Sequence, residues 1–315
     1  MAGPDVSIVI VNWNTRDRLA ECLESVLRTA GTLAVETIVV DNASSDGSAA
    51  MVGTRFASAR LIANPANAGF AAGTNQGLGV AQGRYLLLLN SDTVVRPDAM
   101  QRAVQFLDDH PRVGVVGAKM LNPDGTFQAS FASFPTFWSE CLKATTLGAR
   151  LIAPSYPSPR PRPTDRPREV DWIPGAFMLA RRALWETVGG LDESYWLYSE
   201  DTDWCYRIAR GGWKVVYLPD VEIVHAQGAS TSQRASESEA QLYLARVRFF
   251  ATHYGVRRAL VLRGALWLIF LARGMLSGLI APLARSADRR DRWRRESRTC
   301  RRVRQTCVRP LSGAR

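Results

Sequence analysis

VSIVIVNWN, residues 6–14, and VETIVVDNASSDG, residues 35–47, decide the fold of this chain. Each stretch begins with a short apolar run rich in β-branched residues, which is typical of a strand buried on both faces of a parallel sheet. Between them, apolar residues recur at helical spacing over residues 19–27, and Thr15 stands where it can cap that helix. The two stretches therefore predict a β-α-β unit.

The same pattern continues through the first half of the chain. Residues 85–89 and 113–117 form further apolar runs that predict buried strands, and residues 71–81 and 97–110 predict helices. The fold class expected is α/β: a Rossmann-like, mostly parallel sheet with helices on both faces.

The second half begins with a stretch crowded with Pro and Arg, residues 155–168, which predicts a loop. Beyond it, residues 170–180, 214–218 and 221–224 predict strands, and a helix is expected from about residue 200 to residue 209. No internal repeat interrupts this order.

Charge is distributed unevenly along the chain. Residues 257–315 hold 16 arginines and three acidic residues, a local excess of 13, so the remainder has a net charge of −2 within the total of +11. Residues 259–284 are strongly apolar but are interrupted by Arg263 and Arg273, which leaves no uncharged run near the ~20 residues that a spanning helix needs. We expect amphipathic helices that lie in a membrane interface, followed by an Arg-rich stretch that meets anionic lipids.

Two other interpretations of this segment stay open. The first is a core helix followed by a solvated tail. The second is nucleic-acid binding, which is less favoured because no aromatic platform is present in the basic tail beyond Trp293.

Cysteine usage and the N-terminal residues indicate the compartment. Five scattered cysteines are an odd number without paired spacing, which favours a reducing environment. The chain passes from residue 5 directly into an apolar strand, without the basic-then-apolar layout of a secretory signal. We expect the folded domain to lie in the cytosol.

Two aspartates follow buried strands, where open α/β sheets bind ligands. Asp41 follows the strand of residues 35–40 and can accept hydrogen bonds from a nucleobase or ribose. Asp92 follows the strand of residues 85–89 and can bind a divalent cation that also holds a diphosphate. From local sequence alone, a turn-forming role is about as probable for each.

A third candidate precedes the helix of residues 71–81. Asn67 and Gly69 lead into that helix, which carries Asn75. Backbone and side-chain amides at a helix N-terminus suit a diphosphate or sugar hydroxyls. Glycine-rich loops before helices are common, so this signal is weak on its own.

Acidic residues open the helix at residue 200. Asp201 and Asp203 cannot share one face, because successive helical residues lie about 100° apart, so only one of them is expected to meet a second substrate. Complementing the helix dipole is the simpler role for such residues. His225 follows an apolar strand, and a lone histidine is more often structural than a ligand.

Together these motifs resemble the inverting glycosyltransferases of family 2, which have a GT-A-type fold. The branch that they resemble most contains rhamnosyltransferases and galactofuranosyltransferases that build bacterial cell-wall and O-antigen glycans. The likeness covers about residues 5–230, and an ordered series of motifs is far more specific than any one of them. The matched motifs are SIVIVNWN (7–14), VVDNASSDG (39–47), NAGF (67–70), NQG (75–77), LNSD (89–92), GAFM (175–178), GLDE (190–193), YSEDTDWCYR (198–207), GGW (211–213) and His225.

The resemblance implies roles for particular residues. On the donor side, Val11 and Trp13 would line the nucleobase pocket and Asp41 would contact the nucleoside. Asp92 and His225 would bind Mg or Mn, and Asp201 would be the general base. The remaining candidates are Asn67, Gly69, Asn75, Asn90 and Ser91 on the donor side and Glu200, Asp203, Trp172 and Gly175 on the acceptor side.

One departure concerns the metal motif, which in the family is often Asp-x-Asp. Here Asn90 replaces the first carboxylate. A neutral amide is a weaker ligand for a hard cation, so modest metal affinity is expected, with the donor diphosphate supplying much of the coordination.

The resemblance also implies partners, a location and a domain division. These are a nucleotide-sugar donor, a polyprenyl-linked or other glycan acceptor, and a peripheral or monotopic position at the cytoplasmic face of the cell membrane, with a homo-oligomer left open. Residues 1–120 would be the donor half and 121–240 the acceptor half of one domain, followed by a helical, membrane-associating segment over 241–315. The alternatives are a nucleotidyltransferase and a non-catalytic nucleotide-sugar-binding membrane scaffold.

Overall fold

The computed structural model describes residues 3–152, 158, 165–226, 235–283 and 286–308. The chain divides into two compact units. Unit 1 comprises residues 1–134, 155–196 and 200–230, and unit 2 comprises residues 135–154, 197–199 and 231–315. Residues 241–315, expected as a separate segment, lie in unit 2.

Unit 1 contains a sheet to which ten strands of the described chain contribute, in the order β3-β2-β1-β4-β9-β6-β10-β5, with β7 paired to β6 and β8 paired to β10. The strands are β1 (Val6–Asn12), β2 (Val35–Asp41), β3 (Arg60–Ala63), β4 (Tyr85–Asn90), β5 (Thr93–Val95), β6 (Val113–Leu121), β7 (Phe127–Gln128), β8 (Arg168–Glu169), β9 (Phe177–Arg181) and β10 (Lys214–His225).

Helices cover both faces of this sheet, as predicted. One apolar cluster packs α1 (Arg16–Thr29), α2 (Ser48–Arg55) and α4 (Ala99–Asp109) against one face. A second cluster packs α3 (Phe70–Val80), α7 (Arg182–Thr187) and α8 (Glu200–Arg210) against the other. The side chains of β1 from Ile8 to Val11 alternate between the two clusters, which explains why these four residues are all apolar.

The predicted β-α-β unit is confirmed. Strands β1 and β2 are parallel with Val6 opposite Val35, and β1 is also parallel to β4. The carboxyl ends of β1, β2 and β4 therefore meet at one edge of the sheet. Helix α3 lies close over β1 because Gly77 has no side chain, and a Cβ there would lie 2.4 Å from Val9 Cγ1.

The second half differs from the prediction in two places. Of residues 170–180, only those from Phe177 onward belong to a sheet strand, β9, which runs antiparallel between β4 and β6. Residues 214–218 and 221–224 are one continuous strand, β10, whose pairing with β6 is irregular between Leu218 and Glu222. Most of the predicted loop at 155–168 lies outside the described residues.

Unit 2 is helical in its described residues, with α5 (Phe137–Ala144), α6 (Thr146–Ile152), α9 (Ala235–His253), α10 (Val256–Leu283) and α11 (Ala287–Cys307). By length and composition, α10 is able to cross a membrane. The expectation of an amphipathic helix needs correction here, because the exposed residues of α10 include Val261, Leu268 and Met275. The buried face and the exposed face of α10 are therefore both apolar.

Arg273, one of the two charges that interrupt the apolar stretch of α10 beyond Arg258, is neutralised inside unit 2. Its guanidinium forms an ion pair with Glu296 on α11, and it donates 2.5 Å to the Ala144 carbonyl. This partner reduces the cost of an arginine within an apolar helix.

Candidate active site

The carboxyl ends of β1, β2 and β4 are joined by a buried hydrogen-bond network centred on Asn12. The Asn12 side chain is fully buried, and its Nδ2 donates to Asp41 Oδ1 at 2.9 Å and to Ser44 Oγ at 3.1 Å. Its Oδ1 accepts from the Thr15 hydroxyl at 2.6 Å. Because Thr15 donates its only hydroxyl proton there, Ser91 Oγ, 2.9 Å away, is the donor to Thr15.

This network corrects the role expected of Thr15 and adds one for Asn12. Thr15 stands at the N-cap of α1, but its side chain makes no capping bond. It connects β1 to Ser91 instead. Asn12, which local sequence marked only as a residue at a strand end, orients the loops that follow three strands.

Asp41 lies at the centre of the donor-side loops. It is 3 % exposed, Oδ1 accepts from Asn12, and Oδ2 accepts from the Ser44 backbone N–H at 2.9 Å. Val11 and Trp13, expected at the nucleobase, flank Asn12 and are both partly buried. The contact expected between Asp41 and a nucleoside stays a prediction.

The loop before α3 is shaped by Gly69, which adopts φ 90° and ψ 170°, a region essentially restricted to glycine. A Cβ there would lie 2.6 Å from Trp196 Cδ1. The Gly69 N–H donates to Asn67 Oδ1 at 2.9 Å, and the Phe70 N–H donates to the Trp196 carbonyl at 3.0 Å. These two amides, which we expected to face a diphosphate, are engaged within the chain.

Asn75 is also engaged within the chain. Its Nδ2 donates to the Leu191 carbonyl at 2.8 Å and to Glu193 Oε1 at 2.9 Å, while its Oδ1 accepts from the Leu191 N–H at 2.9 Å. The side chain therefore ties α3 to the turn at residues 190–193. Its place among the donor contacts stays a prediction.

Asp92 and His225, the two expected metal ligands, meet in unit 1. His225 Nε2 lies 3.2 Å from Asp92 Oδ1, and both side chains are close to 10 % exposed. Strand β5, which follows Asp92, pairs antiparallel with the end of β10, with Thr93 opposite His225. Asn90 Nδ2 lies 3.3 Å from the same ring nitrogen, so the Asn-Ser-Asp motif and the histidine share one small polar cluster.

Gln128 is a site residue that sequence reasoning missed. Its Oε1 lies 2.7 Å from His225 Nδ1, on the side of the ring opposite Asp92. The sequence carried no direct signal for this contact, because it joins residues 97 positions apart. A turn-rich NPDG, residues 122–125, close after a predicted strand was the indirect signal of a hairpin.

The Asp92–His225 pair fits a divalent cation in its donor chemistry. A carboxylate oxygen and an imidazole nitrogen converge within 3.2 Å of each other. Within the part of the chain that the structure describes, no group of three or more His, Cys, Asp or Glu side chains has metal-binding geometry. The pair is therefore an incomplete coordination set by itself.

Asp201, the expected general base, lies on the first turn of α8 and is partly exposed. Its Oδ1 accepts from the Thr202 N–H at 2.6 Å, and its Oδ2 accepts from the Gly175 N–H at 3.4 Å. The carbonyl of the next residue, Ala176, accepts from the Asn90 N–H at 3.3 Å. Asp201 is thus connected through Gly175 and Ala176 to Asn90, the last residue of β4, which is two positions before Asp92.

The other acceptor-side candidates are buried or form hydrogen bonds within the chain. Asp203 is 1 % exposed and forms a 2.8 Å ion pair with Arg207, and Glu200 is 6 % exposed. Trp172 donates from Nε1 to the Ser133 carbonyl at 3.0 Å. Asp201 and Asp203 point in different directions, as helical geometry predicted.

Comparison with known proteins finds glycosyltransferases that are similar to this chain. The family model "Glycosyl transferase family 2" matches residues 7–188. The chain is 29% identical over 304 residues to N-acetylglucosaminyl-diphospho-decaprenol L-rhamnosyltransferase of Mycobacterium tuberculosis, covering 91% of this chain and 95% of that protein. It is 24% identical over 254 residues to the low-salt glycan biosynthesis hexosyltransferase Agl10 of Haloferax volcanii, covering 79% and 76%.

The fold is also found among solved structures. The mannosyltransferase PcManGT from Pyrobaculum calidifontis, in complex with GDP-Man and Mn2+, superposes with a TM-score of 0.57 at 17% identity, covering 100% of this chain and 89% of that one. The sheet and this likeness define a GT-A-like α/β fold. The chain belongs to glycosyl transferase family 2.

Proposed function

We propose that this chain is an inverting hexosyltransferase that moves a rhamnose-like or other hexose from a nucleotide diphospho-sugar to a hydroxyl of a lipid-linked glycan, in the synthesis of cell-wall or surface polysaccharide. The name of the mycobacterial relative, which covers nearly the whole chain, supports both the sugar class and the lipid-linked acceptor. Family membership disfavours the nucleotidyltransferase alternative.

The observation that carries the proposal is the connection of Asp201, through Gly175 and Ala176, to the end of β4. This connection supports an arrangement in which the proton acceptor, Asp201, and the two cation ligands, Asp92 and His225, face one cleft. A general base must reach the hydroxyl proton that it removes, and Asp201 is the partly exposed carboxylate of the α8 first turn, whereas Glu200 and Asp203 are buried.

In this mechanism, Asp201 accepts the proton of the acceptor hydroxyl as that oxygen bonds to the anomeric carbon. The bond from the anomeric carbon to the donor phosphate oxygen breaks on the opposite side, so the configuration inverts. The Gly175 N–H holds one carboxylate oxygen and the Thr202 N–H the other, which fixes the orientation of the base.

Asp92 and His225 would hold the divalent cation, Mg or Mn. A cation so held, when bound, neutralises charge on the departing nucleoside diphosphate. The pair supplies two ligands, which supports a site completed by donor phosphate oxygens.

Asn90 and Ser91 would border this phosphate region, while Val11, Trp13 and Asp41 would meet the nucleoside. Unit 2 would associate with the cytoplasmic face of the membrane, where a lipid-linked acceptor is available.

The test replaces Asp201 by Asn, with Asp220→Asn at an exposed position of β10 as the matched control. We expect Asp201→Asn to lower turnover by about 100-fold or more, because general-base catalysis contributes at least that much. The donor Kd should stay within about threefold, because a base on the acceptor side does not bind the donor phosphates.

The measurements are nucleoside diphosphate release with UDP-, GDP- and dTDP-sugars on lipid-linked acceptors, and calorimetric donor binding. Unchanged turnover in Asp201→Asn would exclude Asp201 as the general base, and a wild type that binds a donor without releasing nucleoside diphosphate would support the non-catalytic scaffold instead. Equal loss of turnover and donor binding would indicate that Asp201 acts by holding the Gly175 loop.

A further inference from the structure

Gln128, at the end of the β6–β7 hairpin, contacts His225 on the side of the ring opposite Asp92. The side chain is 7 % exposed, and its Oε1 lies 2.7 Å from His225 Nδ1. Its Nε2 donates to Asn122 Oδ1 at 2.9 Å and to the His225 carbonyl at 3.2 Å. One amide therefore contacts both the ring and the backbone of the expected metal ligand.

The direction of these hydrogen bonds is fixed from the turn of the hairpin. Asp124 Oδ1 accepts from the Thr126 hydroxyl at 2.6 Å and from the Thr126 N–H at 2.9 Å. These bonds lower the pKa of Asp124, so it is an ionised acceptor at neutral pH. The Thr126 hydroxyl, having donated to Asp124, can only accept from Asn122 Nδ2, which lies 2.9 Å away.

The series of hydrogen bonds continues from Asn122 to the histidine. With its NH2 group at Thr126, Asn122 presents Oδ1 to Gln128, which must then donate from Nε2. Gln128 therefore presents its carbonyl oxygen to His225, and because that oxygen can only accept a hydrogen bond, His225 Nδ1 must carry the hydrogen and donate it. Each amide in the series has one orientation.

We propose that the hairpin of residues 122–128 fixes His225 as its Nδ1–H tautomer, so that the Nε2 lone pair faces Asp92 and a divalent cation. The inference rests on the proposed function for the cation, while the tautomer follows from the hairpin alone. Metal-binding histidines generally donate their second N–H to an oxygen partner, which sets the ring orientation. Gln128 is in this sense a positioning residue that acts through His225.

Two substitutions of Gln128 separate this role from a purely structural one. Gln128→Glu keeps an oxygen acceptor for His225 Nδ1 at the same distance along the side chain, but it loses the Nε2 donor to Asn122 and to the His225 carbonyl. Gln128→Met fills a similar volume, but its thioether is only a weak acceptor. Ser130→Ala is the control, because Ser130 Oγ bonds Met120 N and the Gln128 carbonyl in the same hairpin without contacting His225 in the described structure.

The first measurement is the tautomer, from long-range nitrogen–proton NMR of the imidazole in the full chain without metal, assigned with a His225→Gln variant. We expect Nδ1–H in the wild type, in Gln128→Glu and in Ser130→Ala, and loss of that single tautomer in Gln128→Met. An Nε2–H tautomer in the wild type, or no change in Gln128→Met, would overturn the proposal.

The second measurement is the Kd of Mn2+ alone, from the EPR signal of the free ion. Loss of an outer-shell partner typically weakens metal binding by about 10- to 100-fold, which is the change expected for Gln128→Met, with Gln128→Glu and Ser130→Ala near wild type. Equal weakening in Ser130→Ala and Gln128→Met would overturn the specific role of Gln128. A correct tautomer in a wild type that binds no Mn2+ would refute the cation site of the proposed function and leave the tautomer assignment intact.

Discussion

At the scale of single residues, Asp46 fastens the loop after β2 to the start of α1. Its Oδ2 accepts from the Arg16 N–H at 2.8 Å, and its Oδ1 accepts from the Ser48 N–H at 3.0 Å and the Ser48 hydroxyl at 2.5 Å. Burial raises the pKa of Asp46, but these hydrogen bonds outweigh it, so the pKa lies below its usual value. The loop that carries Asp41 and Ser44 is thereby held in place.

A depressed carboxyl pKa predicts how the contribution of Asp46 changes with pH. The stabilisation is present above the unfolded pKa of about 3.9 and is lost as pH falls through the lower folded value. We expect Asp46→Asn to lower the free energy of unfolding by about 1 kcal/mol at pH 7, since a charged acceptor becomes neutral. The difference from wild type should shrink below about pH 4.

Urea unfolding at a series of pH values measures this effect, with Asp109→Asn on the exposed side of α4 as the control. A stability difference that stays constant down to pH 3 would mean that the charge of Asp46 is not its source.

At the scale of secondary-structure elements, two residues position α3. The Asn75 side-chain amide makes three hydrogen bonds with residues 191 and 193, and Gly77 lets the helix approach β1 closely. The position of α3 sets the position of the Gly69 loop, which begins it. These contacts give Asn75 a role in fixing the helix, while a direct contact with the donor stays untested.

Asn75→Ala should lower the free energy of unfolding by about 1–3 kcal/mol, because the Leu191 N–H and carbonyl lose their partners. The donor Kd of the folded variant should stay within about threefold of wild type. The control is Gln76→Ala, the neighbouring exposed amide, whose Oε1 accepts from Asn64. Urea unfolding and calorimetric donor binding measure the two quantities. A donor Kd raised tenfold with unchanged stability would return Asn75 to the donor site.

The elements also explain which features the sequence can predict. Strands β1, β2 and β4 are buried on both faces, so their apolar runs identify them without knowledge of their neighbours. The antiparallel position of β9 depends on pairing Leu89 with Phe177, which are far apart in the chain, and no local pattern encodes that register. The contact of Gln128 with His225 is hidden for the same reason, although the family resemblance implies that His225 is a ligand.

At the scale of the whole molecule, the two units differ in the surface that they expose. Unit 2 exposes apolar side chains on α5, α6 and α10, among them Trp138 at 74%, Leu147 at 67% and Leu268 at 61%. A pocket of about 700 Å³ in this unit is lined by Leu147 and Trp293, by Arg289 and Arg292, and by the Arg273–Glu296 ion pair. Apolar residues beside cationic ones are typical of a surface that meets an anionic membrane.

Helix α10 is therefore the element through which membrane binding can be tested. Its 28 residues extend about 42 Å, more than the ~30 Å hydrocarbon core of a bilayer. Val261, Leu268 and Met275 recur every seven residues on one exposed face. Changing Leu268 and Met275 together to Glu removes two apolar side chains, each worth about 1.5–3 kcal/mol when buried, and adds two like charges at an anionic surface.

We expect this double variant to lower the fraction bound to phosphatidylglycerol vesicles by at least about tenfold, as measured by co-sedimentation. Leu27→Glu is the matched control, because Leu27 on α1 is equally exposed, at 59%, but lies in unit 1. Binding by the wild type should also weaken as salt rises, because the arginines of α11 contribute electrostatically. Unchanged binding in the double variant would exclude this face of α10 as the membrane contact.

A second experiment separates interfacial attachment from a membrane span. Extraction of native membranes with alkaline carbonate releases an interfacial helix, whereas a spanning helix stays in the bilayer.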